Sequence, residues 1–362
     1  MLPSLSASSQ PPLASGSDPD DFVLIDEEPS ADGFVLVSGG PYPMEDCAPE
    51  RLTPDQRREL GERFRDAAFR QLRDDCERTR EMDHRAAARR LRSHAGGAAQ
   101  AEALLDRVVA TLQNARMTIN FKAQTLVSRS DQWFQRGEYL NCFELGDSAD
   151  RPAGYSVGRA QIEDSTLGLR RLINGSPLGR YGRFESGTDA TRKQRWFQSA
   201  SRPVYGALDF LNAPRGAASH YGQSYLVLAD HVKQSATFTP VDTFATRILR
   251  NAVKPDQVCT AEHFPRLVAH AQDHPFGYSC LKQLCRAAKG DAGPIPAGYG
   301  QGGESNYIEA QIFGRVRFDR DVKEIHISRV ELDALPALQR ERLIERMKDA
   351  NRRMARRFYF VD

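Results

Sequence analysis

The sequence predicts an α+β protein, and three observations carry that expectation. Between residues 51 and 175, Arg, Ala, Leu and Glu dominate, the composition of long helices. After the turn signal Asn174-Gly175-Ser176-Pro177 come short segments in which apolar and polar residues alternate, as in strands. The first 50 residues carry ten acidic side chains and no Lys or Arg, which leaves 50 basic against 38 acidic side chains in the rest. The expected organisation is therefore an acidic arm (1–50), a helical domain (51–175) and a mixed α/β domain (176–362) that ends in a basic helix.

Composition narrows the function class. No apolar run approaches the ~20 residues needed to span a bilayer, and no charged segment followed by an apolar one marks a Sec signal. The six cysteines are scattered without a CxxC pair, so neither a zinc site nor a disulfide framework is expected. His220, His231, His263, His270, His274 and His326 have no ligand spacing, and no metal is expected.

The elements follow in order. The first 20 residues, rich in Ser and Pro, cannot bury enough apolar surface to offset their ordering entropy and are expected to be disordered. Within the arm, Phe22 and Ile25 are echoed by Phe34 and Val37, an aromatic and an aliphatic three residues apart behind acidic residues. That pattern resembles the motif by which autophagy receptors add a strand to ubiquitin-like modifiers. A β-hairpin folded back on the body is the alternative. Thr53-Pro54-Asp55-Gln56 places an N-cap, a proline at the first helical position and a Gln at the third, so a helix starts here and runs to about Ser93. Gly96-Gly97 stops it, and Ala101 to Gln113 forms a second helix. Arg85, Arg89, Arg90 and Arg92 have acidic residues upstream and read as a solvated face. Residues 131–145 read as a helix-to-strand transition and 157–174 as a further helix.

In the last domain, Arg180 and Arg183 stand among glycines, where close backbone approach and a guanidinium fork suit a phosphate. Arg202 precedes a strand through Phe210, and Ser224 to Leu228 is another. Val232 to Thr239 alternates so that Ser235, Thr237 and Thr239 share a face. A Gly-rich run from Gly298 to Gly303 leads into Asn306 to Gly314, where Ile308, Ala310 and Ile312 alternate with Tyr307, Glu309, Gln311 and Phe313. This is a strand with one apolar and one polar-aromatic face. On pattern alone it also reads as an edge strand whose Glu309 faces water. Val322 to Ile327 is expected to be its partner, and Pro336 to Arg357 the basic terminal helix.

An arginine strand, a Ser/Thr strand and a glutamate strand in that order resemble the three motifs of diphtheria- and cholera-toxin-like ADP-ribosyltransferases. The phrases RFESGT, RPVYGALDF, YLVL, SATFT and YIEAQIFGRV, over residues 176–330, look like those of the CteC group of type III effectors, which modify a threonine of host ubiquitin. The resemblance implies a split-sheet ADP-ribosyltransferase domain, NAD as co-substrate, ubiquitin as partner, and delivery into a host cell by a non-Sec, type III-like route. Cleaving the nicotinamide–ribose bond builds oxocarbenium character, which a preorganised carboxylate stabilises. Glu309 is the candidate for that role, oriented by Ser235 or Thr237. Arg180, Arg183 or Arg202 would hold the pyrophosphate, Tyr307 and Phe184 would stack on the nicotinamide or wall off water, and Gln311 shares the cofactor face. Arginine-modifying members carry Glu or Gln where Tyr307 stands, and a phenol is a poor base, so a hydroxyl acceptor is expected. Two other classes fit the chain: a non-catalytic protein-binding module using the same groove, and a nucleic-acid binder using the basic helices.

Overall fold

The computed structural model describes residues 52–128, 136–144, 155–175, 178–179, 200–243, 253–271, 280–291, 293–295, 299, 307–354 and 357–362. The acidic arm with Phe22, Ile25, Phe34 and Val37, the segment with Arg180, Arg183 and Phe184, and Asn306 lie outside the described residues. The described residues belong to one compact unit.

Helix α1 (Pro54–Ala95) starts where its capping box dictates. The Thr53 hydroxyl accepts from the Gln56 amide at 3.2 Å, and the Gln56 side chain accepts from the Thr53 amide at 2.9 Å. Leu60, Phe64, Ala68, Leu72 and Cys76, spaced by four, form its buried stripe. Burying each large side chain contributes roughly 1.5–3 kcal/mol. The helix ends at Gly96, whose φ of 84° is left-handed, and a side chain there would be strained by the backbone alone. Helix α2 (Ala98–Asn114) packs back on α1. Arg85, Arg89 and Arg92 are exposed, as expected of a solvated face.

Strand β1 (Arg116–Phe121) follows, then α3 (Ala123–Ser128), the short β2 (Glu138–Tyr139), α4 (Tyr155–Thr166) and α5 (Leu169–Gly175). The single helix expected over 157–174 is thus two, broken at Gly168 with φ 64°. Next come β3 (Val204–Asp209), β4 (Ser224–Leu228), β5 (Ala236–Thr239), β6 (Cys259–Thr260), α6 (Phe264–His270) and α7 (Cys280–Ala288). The chain closes with β7 (Ile308–Ile312), β8 (Val316–Arg317), β9 (Val322–Ser328), α8 (Arg329–Asp333), α9 (Ala337–Met354) and β10 (Arg357–Val361).

The described strands pair as an eight-stranded sheet, β10-β9-β4-β1-β3-β7-β5-β6, and a two-stranded one, β2-β8. The fold class is α+β. A division into helical and mixed domains at residue 175 does not hold, because β1, from the helical part, lies between β4 and β3 in the middle of the sheet. Gly206 of β3 is required by that pairing, since a Cβ there would meet the Thr118 carbonyl at 2.8 Å. The expected partner of β7 is also corrected: β9 pairs with β4 and, in parallel, with β10. The terminal helix α9 is docked through Leu343 and Met347, and the chain then adds β10, a strand the pattern did not predict. Among the described residues no helix is long and apolar enough to cross a membrane.

Candidate functional site

Strand β7 is an interior strand with β3 on one side and β5 on the other, both antiparallel. Its apolar set, Ile308, Ala310 and Ile312, enters the main core, as the alternation requires. The polar set is buried too. Glu309 is 2% exposed, so the edge-strand reading with a solvated Glu309 is wrong. Antiparallel register places Glu309 opposite Thr239 and Ala207, and Gln311 opposite Thr237 and Tyr205, so all six side chains share one face. The small Ala207 is the neighbour of Glu309 on β3.

The hydrogen bonds on this face fix each group's role. The Thr239 hydroxyl donates to the Val241 carbonyl at 2.8 Å, so it accepts from Gln311 Nε2 at 3.1 Å. The Gln311 amide is thereby oriented: its Oε1 accepts from the Thr237 hydroxyl at 2.9 Å, and its Nε2 also donates to Glu309 Oε1 at 2.7 Å. The Thr243 hydroxyl donates to the same oxygen at 2.6 Å, and Arg159 Nη2 of α4 reaches it at 3.5 Å. Glu309 also shares a side-chain hydrogen bond with Asp242. Asp242 in turn accepts from the Tyr221 hydroxyl at 2.8 Å, and the His220 Nε2 lies 3.9 Å from it.

Behind this layer lies a second one. The Arg159 guanidinium sits 3.5 Å over the Tyr205 ring, and its Nε is 3.5 Å from Glu163 Oε1, one helical turn away. The Tyr205 hydroxyl donates to that Glu163 oxygen at 2.5 Å. Arg202 Nη1 holds Glu163 at 3.1 Å and Asp164 at 2.6 Å, while its carbonyl accepts from Asn141 at 3.1 Å.

Burial sets the electrostatics. It pushes the Glu309 carboxyl up to about 8; the Arg159 cation opposes that rise, the charge and hydrogen bond of Asp242 add to it, and the Thr243 hydroxyl subtracts from it. Burial likewise raises Glu163 against the pull of Arg202 and Arg159. Tyr307 is raised well above the ordinary phenol value, by burial and by the nearby Asp242. Near neutral pH, then, Glu309 and Asp242 together hold a proton that an exposed pair would have lost.

Of the residues singled out by sequence, the fold brings Glu309, Gln311 and Thr237 together. Ser235 is not among them. It ends a 3₁₀ turn (Asp230–Ser235), and its hydroxyl donates to the Val232 carbonyl at 3.2 Å; the strand expected from Val232 begins only at Ala236. Thr237 acts on Glu309 only through Gln311. Arg202 is wholly buried against Glu163 and Asp164, so it is not presented to a pyrophosphate. Tyr307 is buried, its ring 5.5 Å from His220 and its hydroxyl bonded to Tyr221, so it walls the cluster from within the core. Arg159, Asp242, Thr243 and Tyr205 were missed. Arg159 and Glu163, spaced i,i+4 on a helix, carried the one usable signal, a weak one because that spacing also suits an ordinary solvated pair. Among the described residues no three His, Cys, Asp or Glu side chains are grouped as a metal site.

No curated protein matches the chain. Residues 181–330 match the family model described as "Protein of unknown function (DUF3626)", a span that takes in β3 to β9 with Thr237, Asp242 and Glu309 but leaves β1 and Arg159 outside it.

Proposed function

We propose that this chain is an NAD-dependent mono-ADP-ribosyltransferase with Glu309 as its catalytic carboxylate and an ADP-ribosyltransferase-like domain as its core. One observation carries the reading. The strands that follow or hold Arg202, Thr237 and Glu309, far apart in sequence, lie side by side as β3-β7-β5, with Thr237 and Thr239 in register with Gln311 and Glu309. That juxtaposition supports a carboxylate held by hydroxyl and amide donors, a donor set that fits a ribose hydroxyl and the positive charge that grows at the anomeric carbon. Arg159 serves as counter-ion to Glu309 rather than as a phosphate clamp, since it is buried between two carboxylates. The pyrophosphate would fall to Arg180 or Arg183. Because Glu309 is enclosed, NAD must displace part of its surroundings to reach it.

The acceptor proposed from the resemblance is a threonine of ubiquitin, with the protein acting as a secreted effector in a host cell. Incubation with NAD and ubiquitin, read by intact mass spectrometry, tests both steps. The expected result is one ADP-ribose per ubiquitin, located on a threonine by fragmentation and stable to neutral hydroxylamine. A modified arginine would reject the acceptor, and absence of nicotinamide release with any host lysate would reject the transferase.

A second reading, a non-catalytic module that binds a protein through this face, is favoured by the enclosure of Glu309. It predicts no nicotinamide release by the wild-type protein. The basic helix α9 gives no matching support for nucleic-acid binding: Glu341, Glu345 and Asp349 interleave its Arg and Lys residues, and Leu343 and Met347 dock it.

A further inference from the structure

The Glu309 cluster is not symmetric about its carboxylate. Arg159, Gln311 and Thr243 enclose Glu309 in the interior, while the hydrogen bond to Asp242 leads outward. Asp242 is 4% exposed, but the Tyr221 phenol that donates to it belongs to a residue 41% exposed. His220 lies beside both: its Nε2 is 3.9 Å from Asp242 Oδ2, and its ring is 3.9 Å from the Tyr221 ring, centroid to centroid. Tyr221 and His220 sit on one 3₁₀ turn, Ser219–Tyr221, at the surface. Carboxyl, carboxyl, then phenol and imidazole thus succeed one another from the buried Glu309 towards the surface turn.

Two carboxyls in one site with different surroundings take different parts in a reaction. The interior one, ringed by donors, is built to carry negative charge opposite a developing cation. The outer one has its own donor in Tyr221 and a neighbouring base in His220, so it is placed to accept a proton and pass it on.

We propose that Asp242 is the acceptor-side base of this site, and that the acceptor side chain enters over Tyr221 and His220. This rests on the transferase reading above. In the step, the bond between the ribose anomeric carbon and the nicotinamide nitrogen breaks, and its electron pair leaves with nicotinamide, which departs neutral. The acceptor hydroxyl oxygen forms the new bond to that carbon. Its proton goes to the Asp242 carboxylate and from there to solvent by way of His220. Water is present in excess and can lose its proton directly to solvent, so hydrolysis of NAD depends on Asp242 less than transfer does.

The test compares two readouts on the full chain: nicotinamide released from NAD without acceptor, and labelled ADP-ribose incorporated into protein of a eukaryotic cell lysate. Asp242→Asn should reduce incorporation at least about tenfold more than it reduces release, within the range by which a positioned general base speeds a reaction. Tyr221→Phe removes only the hydroxyl that donates to Asp242 and should lower the incorporation-to-release ratio in the same direction, by several-fold; it decides the matter if Asp242→Asn does not fold. Glu309→Gln should lose both readouts together. Equal loss of both in Asp242→Asn and in Tyr221→Phe, or release without any incorporation by the wild type, would overturn the role of Asp242 and leave NAD cleavage standing. A wild-type protein that releases no nicotinamide would remove the transferase reading and this inference with it.

Discussion

Replacing Glu309 with Gln separates the carboxyl's ionisation from its shape. Gln keeps an oxygen for Thr243 and Gln311 and adds no volume, but it cannot ionise. In the unfolded chain Glu309 loses its proton near its ordinary value of 4.5, and in the folded protein near 8. Its folded pKa is raised, so its contribution to stability is complete below about 4.5 and is lost as pH climbs to about 8. Through most of that window the folded state holds about one more proton than the unfolded state, which makes the slope about −1.4 kcal/mol per pH unit. The stability of wild type relative to Glu309→Gln should therefore fall by about 2–3 kcal/mol between pH 6 and pH 8. Urea unfolding of both proteins at pH 6, 7 and 8, at matched ionic strength, measures this directly. Parallel curves, with a constant difference across the range, would show that Glu309 is ionised throughout and would refute the proton-holding pair.

The same region of the fold yields four further expectations. Thr237→Val keeps the side-chain shape but leaves the buried Gln311 Oε1 without its donor, so it should cost about 1–3 kcal/mol in urea unfolding. Ser235→Ala, outside the network, should stay within about 0.5 kcal/mol in the same assay. Arg159→Met removes the cation between Glu309 and Glu163 and should destabilise the fold by about 3–5 kcal/mol, with the Glu309 carboxyl titrating later still by carbon NMR. If an ionised Glu309 is needed, kcat/KM for NAD should climb about tenfold per pH unit towards about 8 and then level, and Asp242→Asn should move that rise to lower pH; a flat profile from pH 6 to 8 would oppose the requirement.

Local signals in the sequence were reliable where the physics is local. Thr53, Pro54 and Gln56 define the start of α1 because a capping box needs only four residues, and Gly96 ends it because few other residues adopt its dihedral angles. The alternation around Glu309 likewise sorted Ile308, Ala310 and Ile312 to the core face. Pairing was not local. Met117, Ile119 and Phe121 alternate with Thr118 and Asn120 as in a strand, but the central place of that strand is not local, since it depends on Gly206 allowing β3 to approach it and on β4 closing the other side. Ser235 was misplaced by one residue, because hydroxyl alternation cannot distinguish the end of a 3₁₀ turn from the start of a strand.

The residue two before Glu309 illustrates the limit most clearly. In sequence, Tyr307 occupies the position where an acidic or amide side chain would engage an incoming guanidinium, and its presence argued against an arginine acceptor. In the fold, Tyr307 is buried and bonded to Tyr221, so it contributes packing and a hydrogen bond whatever the acceptor. A carboxylate next to Glu309 is nevertheless present, and it comes from Asp242, 67 positions earlier, just beyond the end of β5. Asp242 would serve a guanidinium or a hydroxyl, since both present a proton to a carboxylate. The identity of residue 307 therefore does not select the acceptor. The proposal of threonine rests on the resemblance alone, and the chemistry of selection moves to the surface formed by Tyr221, His220 and Asp242, where an acceptor would have to approach.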